Sequence, residues 1–166
     1  MKEFSTDHSG FIYTICSNNN SKVLFSGDDE GKVKQWNVLD NKDFELVNDW
    51  NKVHKNSIYA MCLTENSKFL FTSDETDPSD LDEDKRSNLG NLKRYNVSNK
   101  ETSLVYERNT KDKVGAIKCM TLSNDGNSLF VTDSEGNIEQ WSTSENKLIH
   151  DFGRMHKFGI NGLVCH

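Results

Sequence analysis

The sequence predicts an all-β chain, built from repeated four-stranded antiparallel modules that stack as part of a β-propeller. Three observations carry that prediction. One order of strands and turns recurs along the 166 residues. Within each copy, short runs alternate apolar and polar residues, as a strand with two different faces requires. Between the runs, Asn, Asp, Ser and Gly cluster, the residues that tolerate tight backbone turns.

The copies read "HSGFIYTICSNNNSKVLFSGDDEGKVKQWNV" from His8, "HKNSIYAMCLTENSKFLFTSDE" followed later by "GNLKRYNV" from His54, and "KVGAIKCMTLSNDGNSLFVTDSEGNIEQWST" from Lys113. A fourth copy opens at His156 with "HKFGINGLVCH". The first strand of each begins at Ile12, Ile58, Ile117 and Ile160, in steps of 46, 59 and 43 residues. A turn follows, "NNNS", "TENS" or "SNDG", and then a second strand, "KVLFS", "KFLFT" or "SLFVT". An acidic turn leads to a third strand that ends in an aromatic, Trp36, Tyr95 or Trp141. A less regular fourth strand, "FELVND", "TSLVYE" or "KLIHDF", completes the module. The chain is thus a single run of blades at 8–53, 54–112 and 113–155, with the start of a fourth at 156–166.

These residues resemble the WD-repeat family from His8 onward. The family's histidine before the first strand matches His8, His54 and His156. Its Ser/Thr on the second strand matches Ser26, Thr72 and Thr132, and its third-strand Trp matches Trp36 and Trp141, with Tyr95 substituting. The resemblance implies a His–Ser–Trp–Asp hydrogen-bond network that pins the strands of each blade. The chain departs from it in the acid, expected six residues before the aromatic, where Glu30, Leu89 and Glu135 stand. Glu30 can still accept a hydrogen bond. In the third blade Lys113 replaces histidine, and a Lys113–Glu135 pair is expected across the same gap.

The long second step has one source. Asp28 to Gly31 is a tight turn, whereas Asp74 and Gly90 are separated by "ETDPSDLDEDKRSNL", so the surplus is an insertion at 76–88 within one hairpin. Asp80-Leu81-Asp82-Glu83-Asp84 resembles the opening of a calcium loop, but Lys85 replaces the glycine of position six and Asn91 the glutamate of position twelve. The composition favours a solvated loop. A third reading is partner docking through Asp80, Asp82, Asp84, Lys85 and Arg86, with Ser79 placed to suit an acid-directed kinase.

Composition narrows the function. A net charge of −6 offers no positive surface for a phosphate backbone, and so predicts no nucleic-acid partner. No apolar run reaches the roughly 20 residues a bilayer crossing requires, so no membrane partner is expected, and "MKEFSTDHSGFIY" lacks a signal-peptide core. The cytoplasm, with a cytoskeletal assembly as one setting, is the default compartment. Cys16, Cys62, Cys119 and Cys165 include no Cys-x-x-Cys pair and read as small buried apolar residues, not zinc ligands. No catalytic motif is present, and no cofactor or metal is implied.

The resemblance implies a top face on which partners dock. Its exposed positions flank Ile12 and its equivalents: Phe11, Tyr13, Ser57, Tyr59, Ala116 and Lys118, with Asp29 and Ser134 in neighbouring turns. Tyr13 and Tyr59 have a second reading, as packing against adjoining blades. The expected function is a non-enzymatic platform that binds other proteins through its top-face loops. The alternative is a regulatory or targeting segment of a larger enzyme such as a protein kinase. Three blades and part of a fourth leave apolar flanks open, so a further segment or subunit is expected to supply the missing blades.

Overall fold

The computed structural model describes residues 8–18, 20–40, 43–74, 92–106, 115–145 and 147–165. Three sheets follow one another, each of four antiparallel strands in sequence order. The first holds β1 (Ile12–Ser17), β2 (Val23–Asp28), β3 (Val33–Val38) and β4 (Phe44–Trp50). The second holds β5 (Ile58–Leu63), β6 (Phe69–Asp74), β7 (Leu92–Asn96) and β8 (Thr102–Tyr106), and the third β9 (Ile117–Leu122), β10 (Ser128–Asp133), β11 (Asn137–Ser142) and β12 (Leu148–Arg154). These are propeller blades. The first strands β1, β5 and β9 lie side by side as the inner edge of the arc.

The first hairpin is closed by the same chemistry in every copy, and the second in blades one and three. In the first turn a side-chain oxygen takes the amide of the returning strand: Asn18 from Val23 (3.2 Å), Thr64 from Phe69 (3.0 Å), Ser123 from Ser128 (3.0 Å). Three residues on, the backbone turns left-handed at Ser21 (φ 54°), Ser67 (φ 57°) and Gly126 (φ 69°). In the second turn the carboxylate ending the strand takes two amides. Asp28 Oδ1 accepts from Glu30 and Lys32 at 3.0 and 2.9 Å, and Asp133 Oδ1 from Glu135 and Asn137 at the same distances.

The core is not inside the blades but between them. One apolar cluster joins Phe25, Val33 and Trp50 of the first blade to Ile58, Met61, Leu70 and Tyr95 of the second. The other joins Phe71, Leu92 and Tyr106 of the second to Ile117, Met120, Leu129 and Trp141 of the third. The last residue of the outer strand reaches across in the first two blades. Trp50 lies 5.7 Å from Phe25 and 5.9 Å from Tyr95, centroid to centroid. Tyr106 lies 6.2 Å from Phe71 and 5.8 Å from Trp141. In the third blade that ladder position, opposite Ile138, is Gly153, and no such aromatic leaves its outer edge.

The entry to each following module crosses the same glycine. His54 N donates to Gly31 O (3.1 Å), and a Cβ on Gly31 would sit 2.2 Å from the His54 carbonyl oxygen. His156 N donates to Gly136 O (3.2 Å), with the His156 oxygen again 2.2 Å from a Cβ at that glycine. Residues 155–160 thus leave the third blade on the path that 53–58 take over the first. Residues 160–165, expected as the first strand of a fourth blade, form no ladder here.

Candidate functional site

Two polar arrangements occupy corresponding positions in the blades, one pinning the strands within a blade and one at the opening of the inner strands. In the first blade His8 Nε2 meets Ser26 Oγ at 2.7 Å, and Trp36 Nε1 donates to the same oxygen at 2.9 Å. The acid facing His8 is Asp28, whose Oδ2 is 2.7 Å from Nδ1. The expected partner, Glu30, instead points outward and pairs with Lys32 and Ser9, which hold its carboxyl below the usual range. Asp28 serves both turn and histidine because it ends β2, where its two oxygens face opposite ways.

The second blade keeps this plan loosely. His54 Nε2 lies 2.6 Å from Thr72 Oγ1, but Nδ1 is 3.5 Å from Asp74 Oδ2, too long for a good hydrogen bond. Burial pushes the His54 pKa down against the pull of Asp74. Tyr95 does not reach Thr72; its hydroxyl donates to Val53 O at 2.9 Å.

The third blade corrects the expected network by one residue. Leu24, Leu70 and Leu129 face the third-strand aromatics Trp36, Tyr95 and Trp141, so the position of Ser26 and Thr72 is filled by Val131. Thr132 stands one place further on, the other side of the sheet, and donates to Ile160 O at 3.2 Å. With no hydroxyl in reach, Trp141 Nε1 donates to Glu139 at 3.0 Å, and Asn137 Nδ2 occupies Asp133 Oδ2 at 2.9 Å. Glu135 gives its amide to Asp133. His156 is exposed. Lys113, and with it the Lys113–Glu135 pair, lies outside the described residues, as do Leu89, the insertion at 76–88 and its Ser79, Asp80, Asp82, Asp84, Lys85 and Arg86.

The second arrangement stands at the opening of the inner strands. Every first strand carries a bulge there: pairing to the second strand skips from Ile12 to Thr14, from Ile58 to Ala60 and, in the third blade, from Ile117 to Cys119. The skipped residues are Tyr13, Tyr59 and Lys118. A bulge re-aims the side chain it releases, and here it aims the three at one another. Tyr13 and Tyr59 stack with centroids 4.9 Å apart and planes 10° from parallel, and Lys118 Nζ lies 3.8 Å from the Tyr59 centroid. The packing reading of the two tyrosines holds, since the rings stack across blades, and Tyr13 remains 47% exposed.

Phe11 flanks the stack and is 73% exposed. Its carbonyl takes the Asp29 amide at 3.0 Å, as Ala116 takes that of Ser134 at 2.9 Å, which ties each inner strand to its neighbouring turn. The Asp29 carboxylate packs on Gly10, and its buried Oδ1 has no hydrogen-bond partner among the described residues. Ser57 donates to the Asp29 carbonyl at 3.1 Å, joining the turn to the second blade.

Sequence reasoning missed Asp28 and Asp133 as the acids that close the turn, and Asp28 and Asp74 as the acids facing the histidines, because it counted back from the aromatic instead of from the strand end. It also missed Trp50 and Tyr106, whose signal is a large aromatic closing the fourth strand of the first two blades. A cleft of about 750 Å³ between blades two and three went unforeseen as well. Between blades one and two that region is latched by Asn18 Nδ2 to Ser67 Oγ at 2.9 Å, whereas the equivalent residues Thr64 and Gly126 make no such bond. The four cysteines are free thiols, and burial pushes that of Cys16 up to about 12.

Residues 1–37 match the family model of the WD domain, G-beta repeat. That match and the three successive four-stranded sheets are consistent with a partial WD-repeat propeller. No curated protein matches the chain.

Proposed function

We propose that the chain is a non-enzymatic protein–protein interaction platform whose binding surface is the end of the arc carrying Tyr13, Tyr59 and Lys118. A WD repeat supports a scaffold role of this kind. The observation that carries the reading is the bulge ladder: three blades spend an irregular residue at the same place to present one continuous aromatic and cationic strip. Exposed aromatics of this type are enriched where binding energy concentrates.

A second contact completes the arc. Ile12 is 37% exposed, while its equivalents Ile58 and Ile117 are at 0% beneath the preceding blade. Ile15 is 64% exposed and its equivalents Met61 and Met120 only 6%. The first blade therefore offers the same face that its successors bury, and a further blade-supplying segment or subunit is the partner that fits it.

Site-specific photo-cross-linking tests the surface. A photoreactive residue at Tyr13 is expected to trap discrete protein adducts from native extract, and one at Val47, on the outer strand, is not. Equal or absent adducts at both positions would remove the platform from this end.

A further inference from the structure

We infer that the outward face of Tyr13 is a seat for a cationic side chain, a guanidinium or ammonium presented by a basic segment of a protein partner. This rests on the platform reading and names its chemistry. The ladder supplies its own precedent. Tyr59 lies between the Tyr13 ring from the preceding blade and the Lys118 ammonium from the following one. Tyr13 has the Tyr59 ring on one side, and no ring or cation among the described residues on the other. It stands at the open end of the strip, nearly half exposed.

Charge selects the occupant. The face of a phenol ring carries negative potential, which attracts cations and repels carboxylates. The Asp29 carboxylate sits beside the Phe11–Tyr13 stretch through the Asp29 amide bond to Phe11 O, and its Oδ1 is unpaired among the described residues. The chain as a whole carries −6, which draws basic segments and slows acidic ones. Phe11, exposed at the rim, offers the apolar surface that covers the methylenes of an Arg or Lys stem.

The test is an NMR titration of the full chain with blocked tetra-arginine, tetra-lysine, tetra-serine and tetra-glutamate peptides, read at the tyrosine rings. The two basic peptides are expected to shift Tyr13 and Tyr59 saturably, and the other two are not. Tyr13→Leu should weaken basic-peptide binding about 2–5-fold, the scale of an exposed cation–π contact, while Tyr13→Phe retains it. Asp29→Asn should weaken it too, and a Val47→Leu control should not. An unchanged affinity in Tyr13→Leu, or shifts confined to other residues, would overturn the seat. Saturable, Tyr13-dependent binding of the acidic peptide would overturn the cationic class and leave the platform standing. Failure of the platform itself shows separately, as absent cross-links at position 13.

Discussion

Tyr13 and Tyr59 occupy the same bulge on consecutive blades, and their rings stack 4.9 Å apart and nearly parallel. Two residues separated by a whole module meet because the modules share one register. The same register places Trp50 against Tyr95 and Tyr106 against Trp141. The behaviour expected of the molecule follows from these repeated seams.

The two buried indoles of the first blade should respond differently to the same change. Trp36→Phe removes a donor from Ser26 and is expected to cost about 0.5–1.5 kcal/mol beyond its packing loss. Trp50 Nε1 has no hydrogen-bond partner among the described residues, so Trp50→Phe relieves an unpaired buried donor and should cost less. Urea denaturation of both variants gives the comparison, and a larger loss for Trp50→Phe would contradict it.

Val131 and Thr72 make a reciprocal pair of tests. Thr72→Val leaves His54 Nε2 without its partner in a buried site, and Val131→Thr buries a hydroxyl that no histidine among the described residues is positioned to meet. Each should destabilise by about 1–3 kcal/mol. Stabilisation by Val131→Thr, seen as a higher denaturation midpoint, would show that the third blade holds a partner for it.

Glycine at the module crossing should be far less replaceable than glycine in the first turn. Gly31 has φ 78° and the His54 oxygen 2.2 Å from any Cβ, whereas Gly126 has φ 69° and open space. Gly126→Ala is expected to cost about 1 kcal/mol from backbone strain alone. Gly31→Ala adds a collision with backbone that belongs to the next blade, and should lower the melting temperature by several times as much. Equal shifts would mean that the crossing is not so tightly held.

His54 makes stability depend on pH in a definite direction. Burial lowers its pKa in the folded chain below the ordinary 6.5, so the unfolded chain takes up the proton first. Stability is full above 6.5 and falls as pH drops from there towards the folded-state value. The exposed carboxylates Glu30 and Asp125 are also shifted down, but they act lower, below their ordinary 4.5 and 3.8. Chemical denaturation at pH 7.5 and 5.5 should show a loss that His54→Gln removes. The same loss in that variant would assign it elsewhere.

Strand order, hairpin positions and the stacking of the blades were legible because alternation, turn residues and the repeat all point to one architecture. The polar network was legible only in part. Ser26 and Thr72 follow from their shared surroundings, but "SLFVT" offers a hydroxyl one residue from the required place, and local pattern cannot see which residue faces Trp141. The ladder register decides that, and it is set by the carboxylate turn at Asp133. Exposure of Tyr13 could be guessed from position, whereas Lys118 is half-buried. Their meeting could not, because it depends on three bulges repeating across strands that are distant in sequence.

Inter-residue NOEs between the Tyr13 and Tyr59 ring protons are the most direct test of blades stacked in a common register. The account predicts strong cross-peaks between these rings, together with Trp50 to Tyr95. Intact contacts within the first blade, such as His8 to Trp36, with no cross-peak from Tyr13 to Tyr59, would contradict it.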